Sequence, residues 1–389
     1  MGIRRVIVCE VQVPFVHGGA EYHVRALHGQ LRAHGYQAEL VSIPFKWYPK
    51  REILAHASAW RLIDLSESNG EPIDLVIGTK FPSYFVRHPN KVAWLIHQYR
   101  AAYELCGTEY SDFSHSDEDV GLRQTLIDLD TKMLGECRRV FANAQNTANR
   151  LAKYNGLAAE ALYHPPPFAD RLVRGPYGDY VLFVGRLESI KRPDLAVRAM
   201  LHVDRPIRLV MVGEGTQRAR TEQLAASLGV ADRIEFAGSV GEQGLIDLYK
   251  GALGVIYSPF DEDYGYVTLE SFLSHKPVMT TTDAGGPLEF VEHETNGLVC
   301  EPTDEALAAA VNRLAADKGL AARLGDAGYD RARLVTWDGV IEKLVEESRS
   351  RESRVQSPGA QSPGVQSPGV QSPGAQSPGA KESRSPESR

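Results

Sequence analysis

Cysteine is scarce in this 389-residue chain: Cys9, Cys106, Cys137 and Cys300 are far apart and form no Cys-x-x-Cys. That argues against a disulfide framework and against a cysteine zinc site, and it fits reduced thiols in a cytosolic protein. No stretch approaches the roughly 18 consecutive apolar residues that a membrane span needs. The opening MGIRRVIVCEV has no long apolar core before a small-residue cleavage site, so it reads as a first strand and not as a signal peptide. An excess of positive charge is also missing. Lys and Arg number 43 against 50 Asp and Glu, a net charge of −7, which gives no reason to expect nucleic acid as a partner. A complete Gly-x-Gly-x-x-Gly is absent too; Gly213 and Gly215 supply only its start, which sets aside a dinucleotide dehydrogenase.

The remaining composition, 43% hydrophobic and 24% charged, is that of an ordinary globular chain, and its length predicts two domains. Apolar runs of strand length alternate with helical patterns. In the first half they are 5–11, 37–43, 73–78, 92–97 and 139–144, with a helix from Ala20 to about Ala33. The segment from His164 carries three consecutive prolines, which force an extended backbone and interrupt the rhythm. A second series follows at 180–185, 207–213, 233–238, 254–258, 277–282 and 297–301. Two doubly wound α/β halves, hinged near 165–178, account for this pattern. Helices are expected over 303–317, 320–334 and 337–347.

The chemistry gathers at Ser258 to Glu270, SPFDEDYGYVTLE. Pro259 ends a buried strand, Gly265 allows a tight turn, and a helix begins near Tyr266. Glu262 in the loop and Glu270 on the helix therefore face one crevice at the carboxyl end of a strand, where open parallel sheets bind ligands. The helix N-terminus adds free N–H groups suited to an anion. In the same half, Gly185 and Arg186 end a strand and Lys191 precedes a helix. Two cations at one strand-to-helix turn suit a diphosphate. Asp261 and Asp263 also match an Asp-x-Asp metal pattern, and Asp117 and Asp119 repeat it in a stretch expected to be solvated.

FVGRLESIKRPDLAV, LVMVGEG, FAGSV, SPFDEDYGYVTLE, TTTDAGGPLEFV and NGLVCEP occur in this order, and the chain thereby resembles the family-4 retaining glycosyltransferases with their Glu-x7-Glu motif. The match covers nearly all of 178–302, with HGGAE and the strand-end His97 continuing it in the first half. The resemblance implies the GT-B fold: two Rossmann-like, doubly wound domains facing across a cleft. Residues 1–170 would form an acceptor domain, rejoined by a last helix at about 336–347, and 178–335 the nucleotide-sugar donor domain. It also implies roles. Arg186 and Lys191 would hold the departing diphosphate, Glu262 the hydroxyls of the transferred sugar, and Glu270 the ribose. Gly185, Tyr264, Gly265, Tyr266 and Val267 would meet phosphate or sugar, and Gly238, Ser239 and Val240 the base. Gly18 and Gly19 would bring backbone close to phosphate or acceptor, and His97 would face the donor sugar.

The expected activity is retaining hexosyl transfer from a nucleotide-diphosphate sugar, of GDP-mannose or UDP-glucose type, to a glycan or lipid-linked saccharide in surface polysaccharide synthesis. A GT-B nucleotide-sugar epimerase and a non-catalytic sugar-nucleotide-binding protein are the alternatives. No metal and no other cofactor is expected, since Arg186 and Lys191 already supply cations. The stretch FKWYPKRE, 45–52, mixes aromatic and basic residues; it reads as a helix entrance or as a peripheral contact with the inner membrane surface. From 348 to 389 the pentapeptide QSPG followed by Ala or Val repeats five times with almost no large apolar residue, so a disordered tail is expected there.

Overall fold

The computed structural model describes residues 2–15, 18–204 and 206–346, so the expected tail at 348–389 lies outside the described residues, as does His17 of HGGAE. The first half runs β1 (Arg5–Gln12), α1 (Gly19–Ala33), β2 (Gln37–Pro44), α2 (Glu52–Leu62), a small hairpin of β3 (Glu67–Ser68) and β4 (Glu71–Pro72), β5 (Leu75–Gly78), β6 (Lys91–Leu95), α3 (Asp117–Gly135), β7 (Arg139–Ala142), α4 (Gln145–Asn155) and β8 (Glu160–Ala161). The second runs β9 (Tyr180–Val184), α5 (Pro193–Ala199), β10 (Arg208–Val212), α6 (Arg218–Ser227), β11 (Ile234–Gly238), α7 (Glu242–Gly251), β12 (Gly254–Ile256), α8 (Tyr266–Leu273), β13 (Val278–Thr281), β14 (Gly297–Cys300), α9 (Asp304–Ala316) and α10 (Lys318–Ala332). A short α11 (Trp337–Ile341) then passes into a π turn, Glu342–Glu346, where one continuous helix was expected.

Each half is one six-stranded sheet, ordered β2-β1-β5-β6-β7-β8 and β11-β10-β9-β12-β13-β14, and the pairings within both are parallel. The strands read as unbroken apolar runs because helices cover both faces. In β9 and β10, Val181, Phe183, Leu209 and Met211 enter one core, while Leu182, Val210 and Val212 enter the core on the opposite face. The first sheet divides likewise, with Val76, Ala93 and Leu95 on one side and Ile77, Val92 and Trp94 on the other.

The chain returns to its first half at the end. Val340, Ile341, Leu344 and Val345 are buried in the same core as Val6, Val24 and Trp94. The Trp337 ring meets Trp94 edge-on at 6.1 Å. Burial of side chains of this size stabilises by about 1.5–3 kcal/mol each, enough to hold a short helix that would not persist alone.

Both sheets change direction at their centres, between β1 and β5 and between β9 and β12. At such switch points the loops beyond the carboxyl ends part and leave a crevice. The strands stop one or two residues before the limits expected from sequence at His97, Gly185, Gly213 and Ser258. Those residues leave the ladder and turn into the loops around the crevice. One turn is tight: Gly213 has φ +128°, and a Cβ there would lie 2.0 Å from the Gly185 carbonyl oxygen.

Candidate functional site

A cavity of about 590 Å³ opens between the carboxyl ends of the two sheets. From the first half it is lined by Gly18, Gly19, Lys80 and His97; from the second, by Gly185, Arg186, Lys191, Glu262, Glu270 and Tyr264 to Val267. Residues far apart in sequence are thus brought to one space. Gly238, Ser239 and Val240 are not among its lining residues: Gly238 is buried at the end of β11, its carbonyl accepting from Gly213, and Ser239 is exposed. A larger open groove of about 790 Å³, lined mainly by the second half between Ser189 and Glu305 with Glu109 and Tyr110 of the first, contains none of the site residues expected from sequence.

Helix α8 sets one wall. Gly265 caps it at φ +81°, and a Cβ there would come within 2.7 Å of the Tyr257 ring. Glycine therefore lets the loop double back under the helix start. Tyr264 and Tyr266 anchor that start to the inter-half linker. Tyr264 Oη accepts from the His164 backbone N–H at 2.9 Å and donates to its carbonyl at 2.5 Å, and Tyr266 Oη lies 2.7 Å from His164 Nε2. Across the cavity, Gly19 faces Tyr266, and a Cβ on Gly19 would lie 3.4 Å from that ring. A bulkier residue would crowd the α1 entrance against α8.

Glu270 is buried on α8 and accepts from Tyr249 Oη at 2.7 Å. Burial pushes its carboxyl up to about 7, against a smaller opposing effect of that hydrogen bond. Glu262 also accepts from Tyr257 Oη, at 2.9 Å, and pairs with Lys191 Nζ. Burial, then Arg186 and Arg100, push the Lys191 ammonium down to about 7, and the Asp263 carboxylate pulls the other way. Arg186 is exposed and lines the same space. An anion between Arg186 and Lys191 would relieve the repulsion of two cations held in a part-dry site.

His97 is neutral. Burial, the largest influence, lowers it to about 4, while Asp263 opposes and Lys80 reinforces the fall. Nδ1 lies 2.7 Å from the Gln98 carbonyl oxygen, which can only accept, so the proton is on Nδ1 and Nε2 keeps its lone pair. On the neighbouring loop, after β5, Lys80 Nζ donates to Glu21 Oε1 at 2.8 Å.

Sequence reasoning missed the ion network behind the glutamates. Asp263 accepts from Arg150 at 2.6 Å and lies 3.4 Å from Arg100. Burial alone would raise Asp263, but Arg100 and Arg150 overcome it and hold the carboxyl down to about 2. Asp261 accepts from Asn146 Nδ2 at 2.6 Å, and its carbonyl accepts from Arg100 at 2.6 Å. The Asp-x-Asp pair is thus engaged by cations and amides of the first half, locking the two halves behind the cavity. Glu289 adds to the lock by accepting from the backbone N–H groups of Gln145 and Asn146 at the start of α4. Nothing in NRLAKYN distinguishes Arg150 from an ordinary helical arginine; only the fold brings it to Asp263. Asp119, expected to be solvated, is buried, accepting from Lys50 at 2.8 Å and from the Ser114 N–H at 2.7 Å. Among the described residues, one set of ligand-type side chains converges within 4.8 Å, His202 with Asp304 and Glu305, and it lies outside the cavity.

Two Rossmann-like parallel sheets facing across a cavity are the GT-B architecture, and solved structures share it. Sucrose-phosphate synthase from Thermosynechococcus elongatus superposes with a TM-score of 0.72 at 19% identity, over 90% of this chain and all (100%) of that one. HepE of Anabaena, solved with UDP and glucose, gives a TM-score of 0.64 at 17% identity, over 89% of this chain and 99% of that one. Residues 174–331 match the family model described as glycosyl transferases group 1. A D-inositol 3-phosphate glycosyltransferase of Acidothermus cellulolyticus is 27% identical over 336 residues, 79% of this chain and 74% of that protein. An uncharacterized glycosyltransferase of Methanocaldococcus jannaschii is 32% identical over 169 residues, 42% of this chain and 43% of that protein. Fold and matched domain together support a glycosyltransferase of the GT-B class carrying a group 1 domain.

Proposed function

We propose that this protein is a retaining glycosyltransferase of the family-4 type, moving a hexosyl group from a nucleotide-diphosphate sugar to a hydroxyl of a glycan or lipid-linked saccharide. The observation that carries this is the convergence of Arg186, Lys191, Glu262, Glu270 and the start of α8 on one cavity whose opposite wall holds His97 and Gly19. The diphosphate lies against Arg186, Lys191 and the α8 N-terminus, the ribose on Glu270, and the hexose on Glu262 near His97.

The bond from the anomeric carbon to the diphosphate oxygen breaks, and one to the acceptor oxygen forms on the same face. The acceptor's hydroxyl proton passes to the departing phosphate oxygen. The charge that develops there is met by Arg186, Lys191 and the helix dipole, already in place before reaction. Lys191 must release Glu262 to do so, which frees that carboxylate for the sugar hydroxyls as positive character grows on the ring. His97, neutral with Nε2 open, accepts from a sugar hydroxyl. No step calls on a metal: the cations needed are side chains, and Asp261 and Asp263 are engaged by Asn146, Arg100 and Arg150. The described residues include no helix long and apolar enough to cross a membrane. A lipid-linked acceptor would be met at a membrane surface.

The test is a thermal-shift screen with UDP-, GDP-, dTDP- and ADP-sugars, in which the true donor raises Tm by mass action. Transfer from that donor, with the product anomer read by NMR, then distinguishes retention from inversion. Inversion, or stabilisation by no nucleotide sugar, would defeat the proposal.

A further inference from the structure

Beside the donor cavity lies a second, smaller one of about 240 Å³, wholly within the first half. Four neighbouring strands build it from their carboxyl ends. β1 contributes Val11, the residue after β2 contributes Phe45, the β5 loop Phe81 and the β6 loop Tyr99; Trp47 closes the rim. The rings support one another. Phe45 packs on Phe81 at 5.8 Å, on Tyr99 at 6.1 Å and on Trp47 at 6.3 Å. Val13, Lys80 and His97 line both cavities, so whatever fills the small one lies next to the neutral His97 at the sugar end of the large one.

Charge decides what that occupant is. The cation in this lining is Lys80, and Glu21 already neutralises it at 2.8 Å. On the loop after β2, Lys50 is held by Asp119, and Lys46 lies over the Tyr48 ring, 5.3 Å from its centre. A phosphorylated acceptor would bring its charge against aromatic walls whose lining cation, among the described residues, is already paired, at a high desolvation cost. An apolar group meets no such cost. A cavity of about 150 Å³ lined by apolar side chains suffices to hold benzene, so this one takes a single ring or a short branched chain.

Resting on the glycosyltransferase reading above, we infer that the aromatic pocket is the acceptor's aglycone subsite. Of the acceptors proposed above it selects a neutral glycoside, one that carries an aryl or short alkyl aglycone beside the hydroxyl to be glycosylated, over a lipid-linked saccharide. The occupant seats that group among Phe45, Trp47, Phe81 and Tyr99 and points its hydroxyl past His97 into the donor cavity.

The experiment uses the full chain saturated with the nucleoside diphosphate that stabilises it. Binding of three probes is measured by calorimetry: p-nitrophenyl glucoside, methyl glucoside and myo-inositol 1-phosphate. The aryl glucoside is expected to bind about tenfold or more tighter than methyl glucoside, and inositol phosphate no better than methyl glucoside. Trp47→Ala should remove the aryl advantage while the nucleotide-induced rise in Tm persists, and Trp47→Phe should restore much of it. Equal binding of the two glucosides, a preference for the phosphorylated probe, or an aryl advantage undiminished in Trp47→Ala would each overturn the inference. The nucleotide shift separates the two failures. Without any such shift the glycosyltransferase reading fails; with it, only the acceptor inference does. The wild-type comparison stands even where Trp47→Ala folds poorly.

Discussion

Replacing Glu270 by Gln is expected to make the protein more stable at pH 8 and worse at binding its donor. The Glu270 carboxyl is buried at 7% exposure, accepts one hydrogen bond from Tyr249, and is pushed by burial from 4.5 up to about 7. Between those values the folded protein keeps a proton that the unfolded chain has released. Stability therefore falls as pH rises from about 4.5 to 7, and the ionised carboxylate costs about 3 kcal/mol above that window. A glutamine has no charge to bury, and its Oε1 still accepts from Tyr249. Glu270→Gln should thus gain most of that energy at pH 8, roughly 6–12 °C in Tm for a cooperative unit of about 150–250 residues, and little of it at pH 5. The donor ribose would lose a charge-assisted partner in ground and transition states alike. Donor KM should rise about ten- to a hundredfold with kcat little changed. The assays are thermal unfolding of both proteins at pH 5 and pH 8, and donor-dependent initial rates. An identical Tm difference at the two pH values would refute the electrostatic argument, and an unchanged donor KM would take Glu270 out of the donor site.

The donor kcat/KM should be bell-shaped around pH 7: over the same range, raising pH ionises Glu270, which improves ribose binding, and deprotonates Lys191, which weakens diphosphate binding. Lys191→Arg should flatten the alkaline limb, and its persistence in the variant would assign that limb elsewhere. Asp263→Asn should destabilise by about 1–3 kcal/mol, because Arg150, at 4% exposure, and Arg100 then lose one of the carboxylates they share, while Glu104 and Asp261 still face both. Since Asp263 is held down to about 2, denaturation midpoints should show this loss unchanged from pH 5 to pH 8, and the wild-type benefit should fade only as pH drops through that low value. Transfer should continue in excess EDTA; loss of turnover with chelator and recovery with Mg or Mn would return Asp261 and Asp263 to a metal.

The alternation of apolar strands with helices, broken once by the prolines after His164, was enough to read the two halves, because a strand covered on both faces must be apolar throughout. Gly265, Glu262 and Glu270 were legible for a local reason: a turn, a loop acid and a helix acid within one short stretch share one strand end. Arg186 and Lys191 were legible in the same way, both lying in one strand-to-helix connection. Tertiary structure alone decided what those groups face. Tyr249 and Tyr257 satisfy the two glutamates, and Arg100 and Arg150 claim the aspartates that a metal could have used. These partners come from other elements, and a strand or helix pattern records which face of an element is buried but not which distant residue it is buried against. The aromatic pocket is the clearest case. Phe45, Phe81 and Tyr99 look like ordinary core residues in sequence, and only the parallel ordering of β2, β1, β5 and β6 sets their strand ends side by side around a space.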